Sequence, residues 1–161
     1  MAKLDARRVS AFLADPGSCR VVLLHGDDPG LIRERAEALV RSVAEGDALR
    51  LVEVPRDGLR SAGLLATEAA SPPLTGGRCL IRVREVGDGV APANAAKAAL
   101  AGPGPGVVVM EAPELRTSTA LYKAVEGSAG GAVIACYRER GPELAVSIGR
   151  IFQELGVTAE Q

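Results

Sequence analysis

The place to look for chemistry is residues 21–40, VVLLHGDDPGLIRERAEALV, where an apolar run gives way to a helical pattern through Gly26-Asp27-Asp28-Pro29-Gly30. In open α/β sheets, ligands gather beyond the carboxyl ends of the strands, so this loop is the first candidate. A loop that cradles phosphate reads GxxxxGK[ST]. Its glycines let backbone N–H groups wrap the phosphates, its Lys neutralises charge, and its hydroxyl reaches Mg²⁺. The run from Gly26 to Arg33 has neither Lys nor hydroxyl, and two carboxylates stand where phosphate charge would sit. Pro29 removes a further donor. The GxGxxG dinucleotide pattern is missing as well. On charge alone this is a poor nucleotide site. Asp28 and Pro29 have a simpler use, as the cap and first residue of the helix that follows.

Other reactive arrangements are equally incomplete. An acidic pair after a first strand is also the opening of a receiver domain, which holds Mg²⁺ on those carboxylates. Such a domain then needs an Asp after its third strand and a Lys after its fifth. The sequence offers Arg82-Val83-Arg84 and Tyr137-Arg138 there. VVVME at 107–111 imitates a strand ending in a Mg²⁺-holding acid, but without a phosphate loop Glu111 is expected at a solvated strand end. His25 is the only histidine, has no GxSxG or other nucleophile motif nearby, and reads as a hydrogen-bonded structural residue. Cys19, Cys79 and Cys136 are far apart and form no CxxC pair, so they read as buried free thiols of a reducing cytosol and not as zinc ligands. No acid, base and nucleophile come together. The expectation is no active site, no cofactor and no metal.

The elements that would position these residues follow from periodicity. RVVLLH (20–25), LRLVEV (49–54), CLIRV (79–83), GVVVME (106–111) and AVIACY (132–137) are short, β-branched and bounded by Gly, Pro or Asp, which favours strands. Between them Leu31, Ile32, Ala36, Leu39, Val40 and Val43 recur at helical spacing, and 59–70, 92–102, 117–128 and 142–156 read as further helices. Gly102, Gly127 and Gly156 sit where helix stops belong. Near-continuous apolar strands with helical crossovers predict an α/β fold of three layers around a mostly parallel five-stranded sheet. Its 161 residues, 47% apolar and 24% charged, suit a globular domain with a real core, built of aliphatic residues because aromatics are only 2%. A net charge of −1 argues against coating nucleic acid by bulk charge. No apolar run is long enough for a bilayer, and a soluble cytoplasmic protein is expected.

The order of these pieces resembles the delta subunit of the bacterial DNA polymerase III clamp loader. VVLLHGDDPGLIRERAEAL matches that family's apolar strand, Gly, acidic residue, Asp-Pro pair and Leu-rich helix carrying Arg-Glu. EAASPPLTGGRCLIRVREV (68–86) is similar to its helix, turn, Arg and strongly apolar strand. VVVMEAPELRTSTALYKAVEGSAGGAVIACY (107–137) is similar to its fourth strand, polar loop, "LYKAL"-like helix and final strand, and ELAVSIGRIFQELGV (143–157) to the helix that leads onward. The resemblance covers essentially the whole chain. It implies a loader ATPase-like fold without a working phosphate loop, in which residues 1–140 form an N-terminal clamp-binding domain and 141–161 a helix leading into a second domain. The chain then reads as the N-terminal piece of a longer protein.

The resemblance also implies partners and a contact. The family's delta subunit grips the ring-shaped sliding clamp and opens one interface, while other loader subunits hydrolyse ATP and DNA is met only through the assembled loader. An apolar pair just before the third strand enters a pocket on the clamp. The matching positions are Leu74 and Thr75, or Pro73 and Leu74 in a shifted register. Thr75 departs from the large apolar residue common there. The residues themselves favour a projecting turn, since Pro72-Pro73 stiffens the chain and Gly76-Gly77 allows a sharp return. Arg78, Arg82 and Arg84 share one parity along the strand and are expected on one solvated face, with contact to a loader subunit or DNA as the alternative.

Overall fold

The structure, a computed structural model, describes residues 4–138. Within them the chain runs α1 (Ala6–Ala14), β1 (Val21–Gly26), α2 (Pro29–Ala44), β2 (Leu51–Val54), α3 (Leu64–Ala70), β3 (Leu80–Val83), α4 (Val90–Ala101), β4 (Val107–Pro113), α5 (Ala120–Glu126) and β5 (Gly131–Ala135). The five strands form one sheet in the order β2-β3-β4-β1-β5, and every pairing is parallel. From β1 the chain crosses to the far edge, walks back through β3 and β4, then passes over β1 to reach β5. The crossovers therefore part at the carboxyl end of β1, the usual place for a ligand crevice in such sheets.

Both faces of the sheet are covered, which is why the strands are apolar at successive positions and not alternately. Val21, Leu23, Ile81, Val83, Val108 and Met110 pack on one face with residues of α3, α4 and α5. Val22, Leu24, Leu80, Val107, Val109 and Ile134 pack on the other with α1 and α2. Asp28 accepts the Leu31 amide at 3.1 Å and Pro29 opens α2, as the sequence reading has it. The expected helix over 142–156 and the boundary at 140–141 lie outside the described residues.

The structure adds one helix to the sequence reading and adjusts two of its local expectations. Helix α1 precedes β1, with Asp5 accepting the Arg8 amide at 3.0 Å and with Val9 and Phe12 buried. The helix expected over 59–70 is instead a 3-10 turn, Arg56–Arg60, followed by the short α3. Gly63 interrupts it, and Gly58 in the 3-10 turn packs so closely that a Cβ there would stand 2.9 Å from Val54. Gly102 and Gly127 do end α4 and α5, but neither is left-handed; that conformation falls to Glu45 at φ 52° and Gly46 at φ 80° after α2.

Candidate functional site

At the carboxyl end of β1, only Asp27 and Asp28 separate the strand from α2. Their polar groups are committed to neighbouring strand ends. The Asp28 amide donates to Cys136 O at 3.1 Å, and the Cys136 amide donates back to His25 O at 2.6 Å. The Gly26 carbonyl accepts the Glu114 amide at 2.9 Å, and Asp27 Oδ1 accepts the Arg138 amide at 2.7 Å. Gly26 has φ 135°, and a Cβ there would lie 2.0 Å from Cys136 O. The glycine is needed for the approach of β5's exit, not of a phosphate. This loop splices three strand ends together.

His25 is buried just before that splice, with the rings of Tyr122 and Tyr137 edge-on at 5.2 Å and 5.7 Å. Cys19, Cys79 and Cys136 are buried free thiols. Burial pushes the Cys19 thiol up to about 11 and raises the other two, so all three favour the unreactive protonated form. Among the described residues no group of three or more His, Cys, Asp and Glu is placed to hold a metal ion.

A second feature lies at the ends of β2 and β3. Arg82 stands opposite Glu53 in register, and its Nε donates to Glu111 Oε2 at 2.6 Å with both side chains buried. Arg84 reaches Glu53 at 3.0 Å and is half exposed. Glu53, Arg82 and Arg84, with Pro55, Arg56 and Glu85, border an open cleft of about 480 Å³. Glu111 is therefore not at a solvated strand end, as the sequence reading expected. Arg82↔Val109 pairing puts Glu111 two residues along β4 on the same face, within reach of the buried guanidinium. A single charge of each sign inside two apolar strands was the available signal.

The three arginines have three different surroundings. Arg78 precedes β3 and its whole fork is spent on carbonyls, with Nε to Pro105 at 2.5 Å, Nη1 to Gly17 at 2.6 Å and Nη2 to Cys19 at 2.5 Å. Arg82 is buried in its ion pair. Only Arg84 of the three offers its charge to solvent.

The third feature is the turn between α3 and β3. Ser71 closes α3, its hydroxyl donating to Thr67 O at 2.9 Å. Pro72 is exposed and Pro73 half buried. The Gly76 amide donates to Pro73 O at 3.1 Å, closing a tight turn with Leu74 and Thr75 at its tip. Gly76 and Gly77, at φ 77° and 76°, make the return that L residues resist. Leu74 is 95% exposed. Thr75 does not share that apolar exposure, since its hydroxyl donates to Asp47 Oδ2. The same carboxylate's Oδ1 accepts the Leu49 amide at 2.9 Å. Arg50 lies beside it, Nε 3.6 Å from Asp47, with its guanidinium against Gly77, where a Cβ would come within 2.7 Å. The Thr75 hydroxyl, then the Leu49 amide and the charge of Arg50, hold the Asp47 carboxyl below the usual aspartate value. Sequence reasoning found Leu74 but missed Asp47 and Leu49, which lie more than twenty residues away in the chain.

An all-parallel sheet in this order, with a short spliced loop at the switch point and a stiffened apolar turn before β3, defines a three-layer α/β domain. No family model and no curated protein matches the chain by sequence. Solved structures do match by fold. The chain is similar to the DNA clamp loader delta protein YqeN of Bacillus subtilis at TM-score 0.68 and 18% identity, over 94% of this chain and 48% of that one. It is also similar to a DNA polymerase III gamma subunit-related protein of Thermotoga maritima at TM-score 0.55 and 18% identity, over 92% of this chain and 53% of that one. The chain thus spans about half the length of each. At this identity the likeness is one of fold.

Proposed function

We propose that the chain is a non-catalytic domain of a clamp-loader subunit of the delta type, which binds the sliding clamp and helps to open it for loading onto DNA during replication. The observation that carries this is Leu74, 95% exposed at the tip of a rigid turn. A monomer gains nothing by holding a leucine there. A partner with a preformed pocket gains on the order of 1.5–3 kcal/mol from burying it. Pro73 adds apolar surface beside it, and Thr75 holds the tip through Asp47. Binding of this kind opens a ring only to the extent that the open interface is bound more tightly than the closed one.

The domain takes no cofactor in this reading, because two amides that would face a phosphate are already spent, that of Asp28 on Cys136 O and that of Leu31 on Asp28 Oδ1. Its partners are the clamp and the other loader subunits in the cytoplasm, with DNA reached only through the assembled loader and no membrane involved. Among the described residues no helix is long and apolar enough to cross a membrane. Of Arg78, Arg82 and Arg84, Arg84 is the one exposed enough to touch a neighbouring subunit or DNA.

The test is calorimetric titration of the chain against the sliding clamp of the same organism, with Leu74→Asp in parallel. Binding that Leu74→Asp abolishes supports the reading and the anchor. Binding that persists moves the contact away from the turn. Absence of binding by the unaltered chain removes the reading.

A further inference from the structure

We infer that Leu49 is a second apolar anchor for the same partner, and that Asp47 is the positioning residue that holds it in place beside the Leu74 turn; this rests on the clamp-binding reading. Leu49 is 59% exposed in the 3-10 turn Ala48–Arg50, and with Leu74 it is one of four large apolar residues left exposed among those described. The other two, Val90 and Tyr137, belong to other parts of the fold.

One carboxylate connects the two leucines. Asp47 Oδ1 takes the Leu49 amide at 2.9 Å, and Oδ2 takes the hydroxyl of Thr75, the residue next to Leu74. Arg50 reinforces this from a third side. It pairs with Glu45 at 2.9 Å, approaches Asp47 at 3.6 Å and lies against Gly77 at the base of the turn. Two loops distant in sequence are thereby fixed to each other through groups that leave both leucine side chains outside. A single leucine is a small anchor; two held in fixed relation bury more area without a further ordering cost. The polar residue at Thr75 also acquires a reason. Its side chain serves as the strut, and the apolar surface it does not supply comes from Leu49.

The experiment is a double-mutant cycle on the full chain with the purified clamp as the titrant, using Leu49→Ala, Leu74→Ala and the pair, together with Asp47→Ala and Leu74→Asp. Leu49→Ala is expected to weaken binding on the order of tenfold with an unchanged thermal midpoint, as loss of a half-exposed side chain that is buried only in the complex. Asp47→Ala is expected to weaken binding with both leucines intact, and to speed amide hydrogen exchange at Gly76 and Gly77. The effects of Leu49→Ala and Leu74→Ala are expected to be non-additive, because the anchors share one support. If Leu49→Ala binds like the unaltered chain while Leu74→Asp does not bind, this inference is overturned and the clamp-binding reading stands. If Leu74→Asp binds normally, or the unaltered chain does not bind, both fall.

Discussion

The loop after β1 and the turn before β3 are both tight, glycine-bearing connections, and they differ in where their polar groups are spent. At Gly26-Asp27-Asp28, carbonyls, amides and a carboxylate are bonded to β4 and β5 ends, and nothing apolar faces out. At Pro73–Gly77 the backbone closes on itself, the Thr75 hydroxyl is anchored from behind, and a leucine is left in solvent. A connection whose polar groups are bonded to neighbouring strand ends holds the fold. A connection that spends its polar groups to hold an apolar side chain outward suits the clamp contact proposed above. In sequence the β1 loop has the outline of a ligand site without its charges, and the turn before β3 reads as a projecting one; in space the first is bonded into the sheet and the second holds Leu74 in solvent.

The contrast is open to attack at several points. The largest effect is expected from Gly26→Ala, where a Cβ would meet Cys136 O at 2.0 Å; the loss should be about 3 kcal/mol or more in denaturant unfolding. A loss under about 1 kcal/mol would show that the β1 loop is not a splice. Arg82→Leu strands the buried Glu111 carboxylate and should cost about 3 kcal/mol, with most of it recovered when Glu111→Leu is added. Full cost in the double variant would mean that the buried pair does more than balance its own charges.

Leu74→Asp separates the regions in the opposite way. Stability should stay within about 0.5 kcal/mol of the unaltered chain, while clamp affinity falls at least about tenfold. A destabilised Leu74→Asp would mean that Leu74 has a packing role. The pH dependence should be smaller still. Asp47 has its folded value depressed below the ordinary 3.8, so its support of the turn is fully present above that pH and is lost as pH falls through the lower folded value. Thr75 and Gly77 amide exchange, corrected for intrinsic rates, should therefore report a constant opening equilibrium between about pH 5 and 8. The smallest expected effect is from ATP and Mg²⁺. A ligand at one hundred times its Kd would stabilise the fold by about 2.7 kcal/mol, and no thermal shift is expected here. A saturable shift would restore the nucleotide reading of the β1 loop.

Much of the fold was legible because its strands are unusually plain. Val21–Leu24, Val107–Met110 and Val133-Ile134 are runs that only a doubly covered sheet accommodates, and Asp28-Pro29 marks the start of α2 locally. Helix α1 was hidden by its basic start, Ala6-Arg7-Arg8, which invites a question about targeting before one about packing. Glu45 as a left-handed cap was illegible because the adjacent Gly46 is the obvious choice, and both adopt positive φ. At the site, Leu74 was visible through its proline and glycine brackets. Asp47, Leu49 and Arg50 were not, since their role depends on contacts 27 or 28 positions away that no periodicity carries. Glu111 was misplaced for the same reason, its partner lying 29 residues back.

At the opposite end of the sheet, Arg78 has a counterpart in Arg20, which donates to Ala99 at 2.9 Å, Pro103 at 2.9 Å and Gly104 at 2.6 Å. Together the two forks gather six carbonyls from the Gly17–Cys19 and Ala99–Pro105 connections, most of them joined across roughly 60 to 80 residues of chain. Contacts of that span close only after the strands between them have paired, since loop entropy must be overcome first. The amino-end seam is therefore expected to close late in folding and to open early in unfolding. Arg78→Lys, which loses the planar fork, should then raise the unfolding rate more than it lowers the folding rate.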